Sequence, residues 1–228
     1  GDHVVASPPG EEADQHIPAA QTTRCRPSEA GLPSDFRLPT STQCPYAEPM
    51  SDAQQLSSRL VHQGRIFAVT VDRVRLPHGV EVDMEVVRHP GSVVMVCVPR
   101  PGEIILVKQY RYCAGRDLWE VPAGSLGVGE DPAAGAAREC HEEIGMVPRT
   151  LALVSTLWPT PGFCTEKMLF YLCTDLIEPD GRAEQDEDEH LEPRTFTLDE
   201  AWAMVKAGTI ADMKTVVGLT LVGQPSRS

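Results

Sequence analysis

The chain has 228 residues, 41% of them hydrophobic, and a formal net charge of −13, which gives enough apolar material for one ordinary domain core. No stretch approaches the roughly 18 apolar residues of a membrane span, and no basic stripe is present to neutralise a nucleic-acid backbone. The composition reads as a soluble cytoplasmic protein with neither nucleic acid nor membrane as partner, and a small phosphorylated molecule would meet a repelling surface unless cations or well-placed arginines intervene.

Residues 1–55 are rich in Pro, Ser, Thr and Gly, lack any sustained period of 2 or 3.6, and are expected to form a disordered leader or linker. Gly1 and the start-like Met50-Ser51-Asp52 suggest that the first 49 residues are a leader. Residues 56–225 then make up a single domain. From Ile66 the pattern is β: Val69 and Val71, a turn at Pro77-His78-Gly79, then Val80, Val82, Met84 and Val86 alternating with Glu81, Asp83 and Glu85. This predicts a hairpin with one wet face. Breaks at His89-Pro90-Gly91 and Arg100-Pro101-Gly102 frame the apolar runs Val93–Val98 and Ile104–Val107, which read as buried central strands.

A helix is expected from Pro132 to Ile144, with Asp131 as N-cap, Pro132 at the first helical position and Gly145 as the stop. The small residues Ala133-Ala134-Gly135-Ala136-Ala137 would let a sheet or loop approach its first half closely. Beyond it come a strand near Met168–Thr174, a turn at Asp180-Gly181 and an acidic stretch from Glu184 to Glu192. Thr197 and Glu200 have the spacing of a capping box for a further helix, and a second apolar segment runs from Ala211 to Val222. The seven cysteines are odd in number and lack paired CxxC spacing. They fit reduced, mostly buried thiols better than a disulfide framework or a zinc site.

The chemistry concentrates on the predicted helix. Glu139 and Glu143 are four residues apart, so their side chains diverge by only about 40° at 3.6 residues per turn, and Glu142 lies about 60° to the other side of Glu139. Three carboxylates on one face repel one another and call for a compensating cation. Oxygen-only ligation of this kind suits Mg²⁺ or Mn²⁺. A solvated acidic helix face would show the same cluster taken alone. His141 points about 100° from its neighbours and reads as a surface or packed histidine rather than a ligand. Cys140 reads as core filler.

The segment Gly124-Ser-Leu-Gly-Val-Gly-Glu130, followed after seven residues by Arg138-Glu139-Cys140-His141-Glu142-Glu143-Ile144-Gly145-Met146, resembles the signature of the Nudix hydrolases at every fixed position. The resemblance implies an α+β fold, a Nudix-type α/β/α sandwich with a mixed β-sheet and an N-terminal antiparallel β-hairpin region. It also implies that Glu139, Glu143 and the carbonyl of Ala123 hold the metal, with Glu142 as a further ligand candidate, while Glu130 and Arg138 orient the loop and the glutamates. Lys108-Gln109-Tyr110-Arg111, Trp119-Glu120-Val121-Pro122-Ala123-Gly124 and Pro161, sixteen residues past Gly145, are similar to the ADP-ribose pyrophosphatase branch.

On that resemblance the substrate is a small nucleoside diphosphate linked to another group, and ADP-ribose would yield AMP and ribose 5-phosphate. A nucleotide-sugar diphosphatase acting on GDP-mannose or ADP-glucose is the alternative. A non-catalytic ADP-ribose sensor is a more distant one. Arg111 is either an ordinary strand-end arginine or the group that grips the diphosphate, and Thr160 matches a substrate-contacting position. In the acidic loop Asp186–Glu192, Glu189 would accept the proton of the attacking water, with Glu187 in reserve, unless the loop is merely solvated; Glu142 and Glu166 follow as candidates. Met84 stands where the branch often carries a substrate-clamping Arg or aromatic residue. A homodimer is implied by the resemblance alone.

Overall fold

The structure, a computed structural model, describes residues 53–179, 181 and 190–223. The leader assigned to residues 1–55 therefore lies almost wholly outside the described residues, as do Asp180 of the expected turn and the acidic residues Glu184 to Glu189.

The core is built on β4 (Ser92–Cys97), which is buried along its whole length. Its side chains alternate between two apolar layers, as the period of 2 requires. Val93, Met95 and Cys97 enter one layer together with Ala136, Cys140 and Ile144 of helix α1 (Pro132–Ile144). Val94 and Val96 enter the other, with Ala201 of α2 (Leu198–Lys206) and Leu219 of α3 (Met213–Val222). Burial on both faces is why this strand reads as an unbroken apolar run. Each fully buried Val, Leu or Phe here contributes about 1.5–3 kcal/mol. The result is the expected sandwich, with α1 on one side of the strands and α2 and α3 on the other.

Four strands form the central mixed sheet, in the order β7 (Ala123–Ser125), β4, β9 (Met168–Ile177), β8 (Val147–Leu157). β4 and β9 are parallel and the other pairs antiparallel. A second sheet has the order β10 (Glu192–Thr197), β5 (Glu103–Arg111), β6 (Arg116–Glu120). The N-terminal sheet joins β1 (Gln54–Gln63), β2 (Ala68–Arg75) and β3 (Glu81–Arg88), all antiparallel.

Helix ends follow their local chemistry. The Asp131 carboxylate accepts from the N–H groups of Ala133 and Ala134, and Gly145 takes the left-handed conformation that closes α1. Thr197 and Glu200 form the expected capping box of α2. Two strands are not announced by alternation. β1 is exposed throughout and exists by pairing with β2, and β8 is half-buried and changes register between Leu153 and Ser155. The hairpin also differs in detail. Glu81, Asp83 and Glu85 face water as expected, but the buried positions of β2 are Thr70 and Asp72, while Val69 and Val71 are only half-buried. Burial of these polar groups is compensated, since Asp72 accepts hydrogen bonds from Ser58 at 2.6 Å and from Arg88. Among the described residues no helix is long and apolar enough to cross a membrane.

Candidate active site

α1 brings Glu139 and Glu143 to the same face one turn apart, and both are buried, at 9% and 6% exposure. The outgoing chain of β7 runs directly past them. The Ala123 N–H donates to both oxygens of Glu143 at 3.3 Å. At Gly124 a β-carbon would collide with the Glu139 carboxylate, so glycine here is required by close approach. The slim start of α1 serves the same purpose, because a β-carbon at Gly135 would stand 2.9 Å from Leu126 and 3.2 Å from the Glu130 carboxyl carbon. The loop between β7 and α1 is thus laid against the helix that carries the glutamates.

Arg138 ties loop and helix together. Its guanidinium reaches Glu130 at 2.9 and 3.2 Å, Glu142 at 2.6 Å and Glu139 at 2.9 Å. Hydrogen bonds from Arg138, and then from the Gly127 N–H at 2.8 Å, hold the Glu130 carboxyl below its ordinary value. The same Glu130 bonds, with the Glu139 and Glu142 charges beyond them, raise the Arg138 guanidinium above its own.

A cavity of about 660 Å³ opens between the turn joining β1 to β2, the chain from Ala123 to Glu130 and the α1 carboxylates. Its size is that of a small-molecule site. Four glutamates and two arginines line it, leaving an excess of two negative charges among oxygen donors. The residues fit one hard divalent cation, which Glu139 and Glu143 are placed to hold.

Glu139, Glu142, Glu143, Arg138 and Ala123 come together around this cavity as the spacing requires. Glu142 is half-buried and engaged by Arg138. Arg111 is not among the lining residues. It donates to both oxygens of Glu120, at 2.9 and 2.7 Å, and these bonds, with the charges of Asp212 and Glu143 beyond them, raise its guanidinium above the ordinary value. Thr160 is exposed and is not among the residues lining the cavity, and its carbonyl accepts the Phe163 and Cys164 N–H groups in a turn. Glu166 accepts a hydrogen bond from Ser92 and stands 4.0 Å from His89. The His141 ring donates to the Gly181 carbonyl at 3.3 Å, away from the glutamates. Glu189 and Glu187 lie outside the described residues.

Two features escaped the sequence reading. Arg65 and Ile66 line the cavity from the β1–β2 turn, where no motif marks them and Ile66 reads only as the start of a β pattern. Glu120 is buried and bound by Arg111 and Lys214, and Lys214 also stands 3.2 Å from Asp212. A single lysine within the apolar segment 211–222 was the available signal, since a buried ammonium needs a partner.

An α/β/α sandwich whose loop and helix gather buried carboxylates beside a cavity offers the oxygen donors that suit a hard divalent cation. Residues 88–216 match the NUDIX domain, and residues 54–87 match the nucleoside diphosphate sugar hydrolase N-terminal domain. The chain belongs to the Nudix hydrolase family, whose members generally need a divalent metal. It is 38% identical over 172 residues to an ADP-ribose pyrophosphatase of Mycobacterium tuberculosis, covering 75% of this chain and 83% of the relative. It is 34% identical over 168 residues to a methanol dehydrogenase activator of Bacillus methanolicus, covering 74% and 91%. A solved structure of an ADP compounds hydrolase superimposes with a TM-score of 0.64 at 22% identity, covering 75% of this chain and 91% of that one. This last likeness concerns the fold.

Proposed function

We propose that this protein hydrolyses the diphosphate of ADP-ribose to AMP and ribose 5-phosphate, using Mg²⁺ or Mn²⁺. The observation that carries the reading is the buried pair Glu139 and Glu143, pressed against Ala123 and Gly124 at the cavity. Similarity to a protein named ADP-ribose pyrophosphatase supports the choice of substrate. The cation, when bound, makes the phosphorus more electrophilic and the attacking water more acidic. Glu139 and Glu143, the Ala123 carbonyl and, as a further ligand, Glu142 hold it. Arg138 keeps those carboxylates in register, Arg111 binds a diphosphate oxygen, Thr160 contacts substrate, and Glu189 accepts the proton.

The same reading expects a homodimer in the cytoplasm. Leu56, Leu60 and Val61 of β1 and Met84 of β3 are exposed apolar residues on the N-terminal sheet, which supports a partner there. Five unbridged cysteines among the described residues support a reducing compartment.

A second reading, a nucleotide-sugar diphosphatase, is favoured by the match of residues 54–87 to the nucleoside diphosphate sugar hydrolase N-terminal domain. A panel of ADP-ribose, ADP-glucose and GDP-mannose, assayed with Mg²⁺ for nucleoside monophosphate release, separates the two. ADP-ribose is expected to give the highest kcat/KM, with AMP and ribose 5-phosphate in equal amounts. A sugar nucleotide turned over faster than ADP-ribose overturns the first reading in favour of the second.

A further inference from the structure

Cys97 of β4, Cys140 of α1 and Cys173 of β9 meet in the apolar layer beneath α1, and all three have no exposed surface. The sulfur of Cys140 lies 3.7 Å from that of Cys97 and 4.0 Å from that of Cys173. One ligand atom from each residue fits within 4.8 Å of the other two. Three thiolates bonded to one ion at about 2.3 Å stand about 3.8 Å apart in a tetrahedral arrangement and about 4.0 Å apart in a planar one. The two separations from the Cys140 sulfur are close to those edges, and the third lies within 4.8 Å.

We propose that Cys97, Cys140 and Cys173 form a binding site for a single thiophilic d¹⁰ cation of the Zn²⁺ or Cu⁺ class, distinct from the carboxylate site. Thiolate sulfur selects soft ions over Mg²⁺ and Mn²⁺, so the two sites sort their metals by ligand chemistry. Charge balance favours the divalent ion. Three thiolates with Zn²⁺ leave one negative charge in the core, whereas with Cu⁺ they leave two, and uncompensated charge in an apolar layer is costly. The three residues are far apart in sequence and come from two strands and a helix, which is why no ligand spacing shows in the chain. An ion here would tie α1 to both β4 and β9. Cys140 adjoins Glu139 on that helix, so occupancy would also stiffen the platform of the carboxylate site.

The experiment uses the full chain with Cys25, Cys44, Cys113 and Cys164 replaced by serine, which leaves only the three buried thiols. Reduced protein is loaded with Zn²⁺ or, separately, with Cu⁺ under anaerobic conditions, in excess Mg²⁺ to occupy the carboxylates. Bound metal is counted by native mass spectrometry, and its ligands are read by X-ray absorption at the metal edge. The expected result is one ion with a shell of three sulfurs at about 2.3 Å and a higher Tm than the metal-free protein. Further replacement of Cys173 by alanine should abolish the three-sulfur shell. Retention of Cu⁺ alone or of Zn²⁺ alone identifies which member of the class binds. Failure to retain either ion, or a shell of oxygen and nitrogen only, shows that the thiols merely pack in the core and overturns the proposal, without bearing on ADP-ribose hydrolysis.

Discussion

The Glu139 carboxylate lies against the backbone of Gly124, with no space for a β-carbon between them. Gly124→Ala should therefore displace a metal-holding carboxylate or the loop beside it. A shift of about 1 Å at such a position can cost on the order of 10²-fold in rate. We expect kcat/KM for ADP-ribose to fall by about that factor, with little change in Tm. A variant with full activity would show that the contact yields freely and is not a constraint on the site.

Glu143 and Glu142 sit side by side on α1 but in different surroundings. Glu143 is buried and receives the Ala123 N–H, whereas Glu142 is half-buried and held by Arg138. Glu142→Gln should raise the Mg²⁺ concentration needed for half-maximal activity only moderately, because Arg138 already engages this carboxylate. Glu143→Gln should cost more, and chelation of divalent metal should abolish turnover of the unmodified protein. Equal small losses in both variants would place the cation elsewhere, and full turnover after exhaustive chelation would show that none is required.

For the general base, Glu189→Gln should lower kcat by roughly 10²–10⁴-fold and leave KM nearly unchanged, while Glu187→Gln should be mild. Steady-state kinetics at saturating Mg²⁺ measure both. A crippled Glu187→Gln variant would move the assignment by two residues within the same loop. Near-normal kcat in both would remove the base from the loop and bring Glu142 and Glu166 forward.

Glu120 links acid stability to its ion pairs with Arg111 and Lys214. Burial pushes its carboxyl upward, but the hydrogen bonds and charges of Arg111 and Lys214 outweigh burial and hold it below its ordinary value of 4.5. A carboxyl depressed in the folded state contributes stability that is present above the unfolded value and is lost as pH falls through the folded one. Glu120→Gln should destabilise the protein near neutrality by less than the about 3–5 kcal/mol of a fully buried broken pair, because Arg111 can turn to solvent and Lys214 keeps Asp212. Below pH 4.5 its stability should decline less steeply than that of the unmodified chain. Urea unfolding measured from pH 7 to pH 3 tests both statements. Parallel stability curves would mean that Glu120 does not titrate differently in the folded state.

Much of the site follows from local rules that the sequence carries by itself. The Asp131 cap, Pro132 and Gly145 delimit α1, and helical geometry then aligns Glu139, Glu142 and Glu143 without reference to the rest of the chain. The apolar run of β4 likewise announces a strand buried on both faces. Other features depend on contacts between distant segments. β1 presents no pattern because it is exposed on every residue and is held through β2. Arg65 reaches the cavity only because that sheet folds beside the helix. Arg111 could be read from the chain either as a strand-end arginine or as a diphosphate grip, and its pairing with Glu120, itself secured by Lys214 from 94 residues away, shows only in the fold. Meeting of the three buried thiols is likewise decided by how α1 packs on β4 and β9. Hydrogen-bonding periodicity acts over a few residues and is written locally, whereas burial and charge pairing depend on which surfaces the whole chain brings together.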